Sequence, residues 1–157
     1  MSVSIVTNHM QAPAGITEAV QKCLSETAIE TAKAQTYHWN VTGMAFGPLH
    51  ALFQEIYEDH FSAQDRLAER IKAVGGHADG RFSKALEVAT ITGCDGAISA
   101  REMVQQLAED QAYLSSALRN LAGLAEDAND IVTNDMAIER ADIHDKFAWM
   151  LRAHLEH

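Results

Sequence analysis

Apolar residues recur at three- and four-residue steps along four long stretches of this chain, and nowhere does a sustained apolar/polar alternation suggest a strand. The first stretch, residues 16–41, carries Ile16, Val20, Cys23 with Leu24, Ala28, Thr31, Ala34 and His38 on that spacing, and Gly43 marks its end. The second is expected after Gly47-Pro48, because a proline in the first turn gives up an N–H that has no helical acceptor anyway; Gly75-Gly76 stops it. The pattern weakens from His77 to Ala97, a long crossover with room for a short helix over residues 81–90. Ser99 followed by Glu102 reads as a capping box opening a third long helix that runs to about Ala125. Thr133 is expected to cap a fourth, with Met136, Ile143, Phe147 and Leu151 on its inner face. The pattern shows no repeat, linker or low-complexity tract. The expectation is an all-α, four-helix bundle with a short helix in its long middle crossover, a single domain over residues 1–157 with residues 1–14 as a flexible arm.

Composition narrows the partners. The chain has 157 residues, and its 22 Asp and Glu against 12 Lys and Arg give a formal charge of −10. That field repels polyphosphate and attracts cations, and the first basic residue is Lys22, so direct DNA binding is disfavoured. Cys23 and Cys94 do not make a disulfide framework or a zinc knuckle. Without a signal-type N-terminus or a span-length apolar run, the sequence reads as cytoplasmic with no membrane contact.

The second helix carries the chemistry. At about 100° per residue, Leu49, Leu52, Phe53, Ile56, His60, Ala63, Leu67, Ile71 and Val74 form one apolar band, and His50, Gln54, Phe61, Asp65 and Glu69 form a second stripe rotated away from it. His50 and Asp65 lie roughly 22 Å apart along a straight helix, so one chain cannot place both on one metal ion. Two copies packed antiparallel about a two-fold axis bring His50 of one chain to Asp65 and Glu69 of the other, twice over. His38, just across the Gly43–Pro48 turn, approaches His50 from its own chain. Two imidazoles and two carboxylates suit iron or zinc. Singly, each of these residues is an ordinary surface or packing residue; jointly they point to a site between subunits.

These residues also carry a resemblance. Tyr37-His38-Trp39-Asn40-Val41, Gly43, Leu49-His50, Phe53, Asp65-Arg66-Leu67-Ala68-Glu69-Arg70-Ile71 and Gly75-Gly76, then Asp130, Thr133, Asp135 and Phe147-Ala148-Trp149-Met150-Leu151, strongly resemble the Dps miniferritins of the ferritin-like superfamily. The resemblance implies a hollow homo-dodecamer with a ferroxidase centre at each two-fold interface. It places the metal ligands at His38 and His50 from one subunit and Asp65 and Glu69 from its mate. The family has an Asp one turn after His50, where this chain has Gln54, a neutral amide that binds hard cations more weakly through its carbonyl. One tight metal position around Glu69 and a weaker one near His50 and Gln54 are therefore expected. By the same resemblance Asp130 and Asp135 are candidates for an iron-entry pore, with Glu126 and Asp127 behind them.

The implied activity is oxidation of Fe(II) to Fe(III) by hydrogen peroxide or dioxygen, with storage of ferric mineral and protection from oxidative damage; zinc is a possible occupant of the same site. Tyr37 and Trp39 read first as packing residues and second as traps for stray radicals. His9, His60, His77, His144, His154 and His157 read as surface or packing residues. A di-iron site inside each bundle would need Glu-x-x-His pairs, and the chain contains none. A non-enzymatic DNA-compacting or structural shell with a degenerate metal site is the alternative.

Overall fold

The computed structural model describes residues 15–156, which form five helices and no strand: α1 Ile16–Asn40, α2 Phe46–Ala73, α3 Phe82–Val88, α4 Ala100–Asp127 and α5 Ile131–Ala153. The proposed N-terminal arm lies outside the described residues. The closest pairings are α1 with α2 and α4 with α5, while α1 also packs on α4 and on the short crossover helix α3. Among the described residues no helix is long and apolar enough to cross a membrane.

Local chemistry sets the boundaries. Pro48 is the third residue of α2, still within the turn whose N–H groups have no helical acceptor. At the other end Gly75, with φ 86°, donates to the Lys72 carbonyl and Gly76 to that of Ile71, the paired bonds that close a helix through a left-handed residue. Gly76 also allows α1 to approach: a Cβ there would meet Thr17 Cγ2 at 2.5 Å. The Ser99–Glu102 capping box is present in both directions.

The fourth long helix corrects the sequence reading: it starts at Ile131 with Asp130, not Thr133, as its cap. Asn129 takes the left-handed conformation, φ 57°, so α4 closes with Asp130 N–H donating to the Ala125 carbonyl at 2.8 Å. The same Asp130 then accepts from Thr133 N–H at 3.0 Å, so one residue ends α4 and begins α5.

The core is divided. One apolar cluster holds Ile16, Val20, Leu24, Leu67, Ile71, Leu118, Leu121 and Met136. A second, at the other end of the bundle, holds Tyr37, Val41, Leu49, Leu52, Phe53, Ile56, Met103, Leu107, Phe147 and Leu151. Between them on every long helix sits a buried polar residue: Glu30 on α1, His60 on α2, Gln111 on α4 and His144 on α5. A third cluster, Ile29, Ala85, Ile91 and Leu114, seats the crossover. Glu26 pins it, accepting from Thr90 N–H at 2.8 Å, Ile91 N–H at 2.9 Å and Tyr113 Oη–H at 2.8 Å.

Candidate metal centre

The α1–α2 turn brings His38 and His50 together in one chain. His38 Nδ1 lies 2.7 Å from the His50 carbonyl, and His50 Nδ1 lies 2.8 Å from the His38 carbonyl. A carbonyl only accepts, so each Nδ1 carries the hydrogen, and in the neutral ring each Nε2 keeps a free lone pair. The rings stack with centroids 3.7 Å apart and planes inclined by 16°. Phe46 stacks on the far side of His50 at 4.9 Å, and Tyr57 meets His38 edge-on at 5.3 Å. Metal-binding histidines need one nitrogen tied down and the other bare, and backbone carbonyls of the opposite residue do this for both rings at once.

The remaining predicted ligands lie along α2. Gln54 and His50 are half-buried, whereas Asp65 and Glu69 are exposed and make no hydrogen bond or ion pair among the described residues. Their neighbour Arg66 is engaged elsewhere, with Glu139 at 2.6 Å. As the helix length requires, the chain alone does not gather the set: among the described residues no three His, Cys, Asp or Glu side chains converge on a metal-sized point. Two large aromatic groups stand exposed near these ligands. Phe61, within the ligand stripe, is 71% exposed and Trp39, next to His38, is 67% exposed. Large aromatic groups left bare beside His38 and within the stripe of Asp65 and Glu69 are the kind of surface that another protein surface covers.

The proposed pore residues separate. Asp135 is exposed on the first turns of α5. Asp130 is buried, and its oxygens are occupied: Arg70 Nη2 donates at 2.7 Å, Thr133 N–H at 3.0 Å and Thr133 Oγ1 at 2.5 Å. Burial opposes ionisation of Asp130, but the Thr133 hydrogen bonds and the Arg70 guanidinium outweigh it and hold the carboxyl below its usual range. Asp130 is buried and serves as a cap and an ion-pair partner, whereas Glu126 and Asp127 are exposed beside it.

The structure also corrects the reading of His60 and His144 as plain packing residues. Gln111 Nε2 donates to His60 Nε2 at 3.0 Å and to Glu30 Oε1 at 3.0 Å, while its carbonyl accepts from His144 Nδ1 at 2.7 Å. His60 Nδ1 donates to Asp59 at 3.0 Å, and Arg140 joins Asp59 at 2.8 Å and 3.0 Å to His144 Nε2 at 3.2 Å. Asp59, His60, Gln111, His144 and Arg140 thus form a closed ring through three helices, with Glu30 hanging from it on the fourth. Burial, and for His144 also the neighbouring His60 and Arg140, pushes both imidazoles below the usual histidine range. Burial, reinforced by Asp110, pushes Glu30 up, and its Oε2 is the one buried side-chain polar atom without a partner among the described residues. Lys33, paired with Asp110 at 2.6 Å, completes the charges around it.

A four-helix bundle with a long crossover, carrying a paired His38 and His50 and free carboxylates on an outer face, defines a ferritin-like subunit. Comparison agrees: residues 18–157 match the ferritin-like domain family. The DNA protection during starvation protein of Brevibacillus brevis is 38% identical over 126 residues, covering 79% of this chain and 83% of that protein. The crystal structure of Dps from Staphylococcus aureus superposes with a TM-score of 0.90 at 31% identity, covering 94% of this chain and 99% of the other. A Dps protein of Vibrio cholerae O1, described as a member of a broad superfamily of ferritin-like diiron-carboxylate proteins, gives 0.87 at 28% identity, covering 96% and 100%. The chain belongs to the ferritin-like family and, within it, to the Dps miniferritins.

Proposed function

We propose that this chain assembles into a homo-oligomeric shell, a dodecamer by family likeness, that oxidises Fe(II) between subunits and stores the Fe(III) product. The observation that carries this reading is the reciprocal His38/His50 pair: two Nε2 lone pairs side by side, on a face whose free carboxylates, Asp65 and Glu69, lie too far along α2 to reach them in the same chain. An antiparallel α2 from a second copy supplies them, twice per two-fold axis.

Iron is the substrate. Two ferrous ions each give one electron to hydrogen peroxide, its O–O bond breaks to two hydroxides, and no hydroxyl radical is released. Dioxygen serves as the slower oxidant. Asp65 and Glu69 favour the harder ferric product, the imidazoles hold the ferrous ion, and the small number of protein ligands leaves room for the oxidant. Zinc suits the same donor set. The surplus of negative charge draws Fe(II) toward the shell, with Asp135 the acidic residue free to line an entry path. Protection of the cell follows from removing Fe(II) and peroxide together, without direct contact with DNA.

Anaerobic loading with Fe(II) followed by peroxide tests this. A rise in ferric absorbance is expected, slowed at least tenfold in His50→Ala and in Asp65→Ala, and equal rates in all three proteins contradict the site. For DNA, no gel retardation is expected at low salt; a shift abolished by added salt speaks for the DNA-compacting alternative.

A further inference from the structure

Gln54 stands on the ligand face where a carboxylate would be expected, and its side chain is not free. Its Nε2 donates to Glu58 Oε1 at 2.8 Å, one helical turn further on. The direction of that bond matters. A carboxylate has no hydrogen to give, so only the NH₂ end of the amide can face Glu58, and the carbonyl Oε1 is the arm left over for a cation. Glu58 also belongs to the same stripe. At about 100° per residue it lies about 80° round from His50, between Asp65 at about 60° and Glu69 at about 100°. Glu58 itself, with Gln35, Tyr57, Phe61 and Ser62, lines a depression of about 380 Å³, so the carboxylate borders the exposed Phe61 ring on the same stripe.

We propose that Glu58 is a positioning residue of the metal centre: it locks the Gln54 amide with its carbonyl toward the metal and returns, one turn away, the negative charge that Gln54 removes. This rests on the intersubunit metal centre proposed above. An N–H bonded to a carboxylate shifts electron density onto the amide oxygen, as carboxylates behind metal-binding histidines strengthen those ligands. Covering the face lowers the local dielectric and enlarges the effect.

Zn(II), which undergoes no redox change, is the probe, titrated calorimetrically into the metal-free assembled protein. Glu58→Gln is expected to weaken Zn(II) binding about tenfold, the loss typical of an outer-shell partner. In a Gln54→Asp background the loss is expected to shrink to about threefold or less, because Glu58 there has no amide N–H to hold and contributes only its charge. A role in helix stability alone would act alike in both backgrounds. His50→Ala separates the two levels of the argument. If His50→Ala abolishes tight Zn(II) binding while Glu58→Gln matches the wild type, or weakens binding equally in both backgrounds, the role of Glu58 is overturned and the metal centre stands. If His50→Ala leaves Zn(II) binding intact, the metal centre falls and the role of Glu58 with it.

Discussion

Two regions of this subunit combine imidazoles with carboxylates, and they differ in what is left unused. In the middle of the bundle His60 and His144 use both ring nitrogens, on Asp59, Gln111 and Arg140, and only one oxygen of Glu30 has no partner. On the outer face His38 and His50 each use one nitrogen, and Asp65 and Glu69 use no oxygen. Donor composition therefore does not define a metal site; unfilled coordination does. The inner cluster is a filled polar layer that joins two apolar cores, whereas the outer one keeps its donors free, as the proposed intersubunit centre requires.

Substitutions should split the two regions cleanly. His50→Ala is expected to cost at least tenfold in ferric formation and only about 1 kcal/mol in subunit stability, since a half-buried ring stacked on His38 and Phe46 with one hydrogen bond is lost. Gln111→Ala should do the reverse. It strips partners from Glu30, His60 and His144 together and is expected to cost about 3 kcal/mol or more by chemical denaturation, with the rate per folded subunit unchanged. Loss of activity without loss of stability in Gln111→Ala would mean that the inner layer takes part in the chemistry.

Acid should act on the inner layer first. His60 and His144 have folded values below the usual 6.5, so their contribution is present above pH 6.5 and is lost as pH falls below it toward those lower values. Glu30 works in the opposite sense: its raised value favours the folded state at low pH, and that contribution fades as pH rises through the folded value. Two imidazoles act in one sense against a single carboxyl, whose rise Lys33 and Gln111 oppose. Thermal midpoints are therefore expected to fall between pH 7 and pH 5, with a shallower slope in His144→Asn. An identical slope in that variant would remove His144 from the account.

At the α4–α5 turn Asp130→Ala should cost about 2 kcal/mol, removing a cap and leaving Arg70 without its carboxylate. Asp135→Asn, a smaller perturbation, is expected to leave stability unchanged and slow iron uptake about twofold by weakening the local attraction for cations. The opposite pairing of effects would reassign the two residues.

Much of this is legible in the sequence. The four long helices, the Ser99–Glu102 box and the Gly75-Gly76 stop are local signals, set by residues within a turn of one another. The meeting of His38 and His50 is legible because one short turn joins their helices, and the length of α2 keeps Asp65 and Glu69 apart from them within the chain. The cap at Asp130 is not, because it depends on Asn129 taking a left-handed backbone, which sequence allows but does not require. The polar layer escapes for a different reason. Glu30, His60, Gln111 and His144 lie far apart in sequence and become mutual partners only once the bundle forms. A signal is nonetheless present: each long helix carries a polar residue in its apolar stripe near mid-length. Glu58 is passed over because a glutamate one turn beyond a glutamine looks like solvated surface until the amide is seen to be held.

The central claim, that the ligands of one centre come from two chains, is tested most directly by mixing. His50→Ala and Asp65→Ala subunits, each inactive alone, are co-assembled and assayed for ferric formation with peroxide. In a dimer of one of each, one site carries both lesions and the other carries neither, so random mixing should restore about a quarter of the wild-type rate. A centre built within each chain would leave every site damaged, and mixed shells as inactive as their parents would contradict the account.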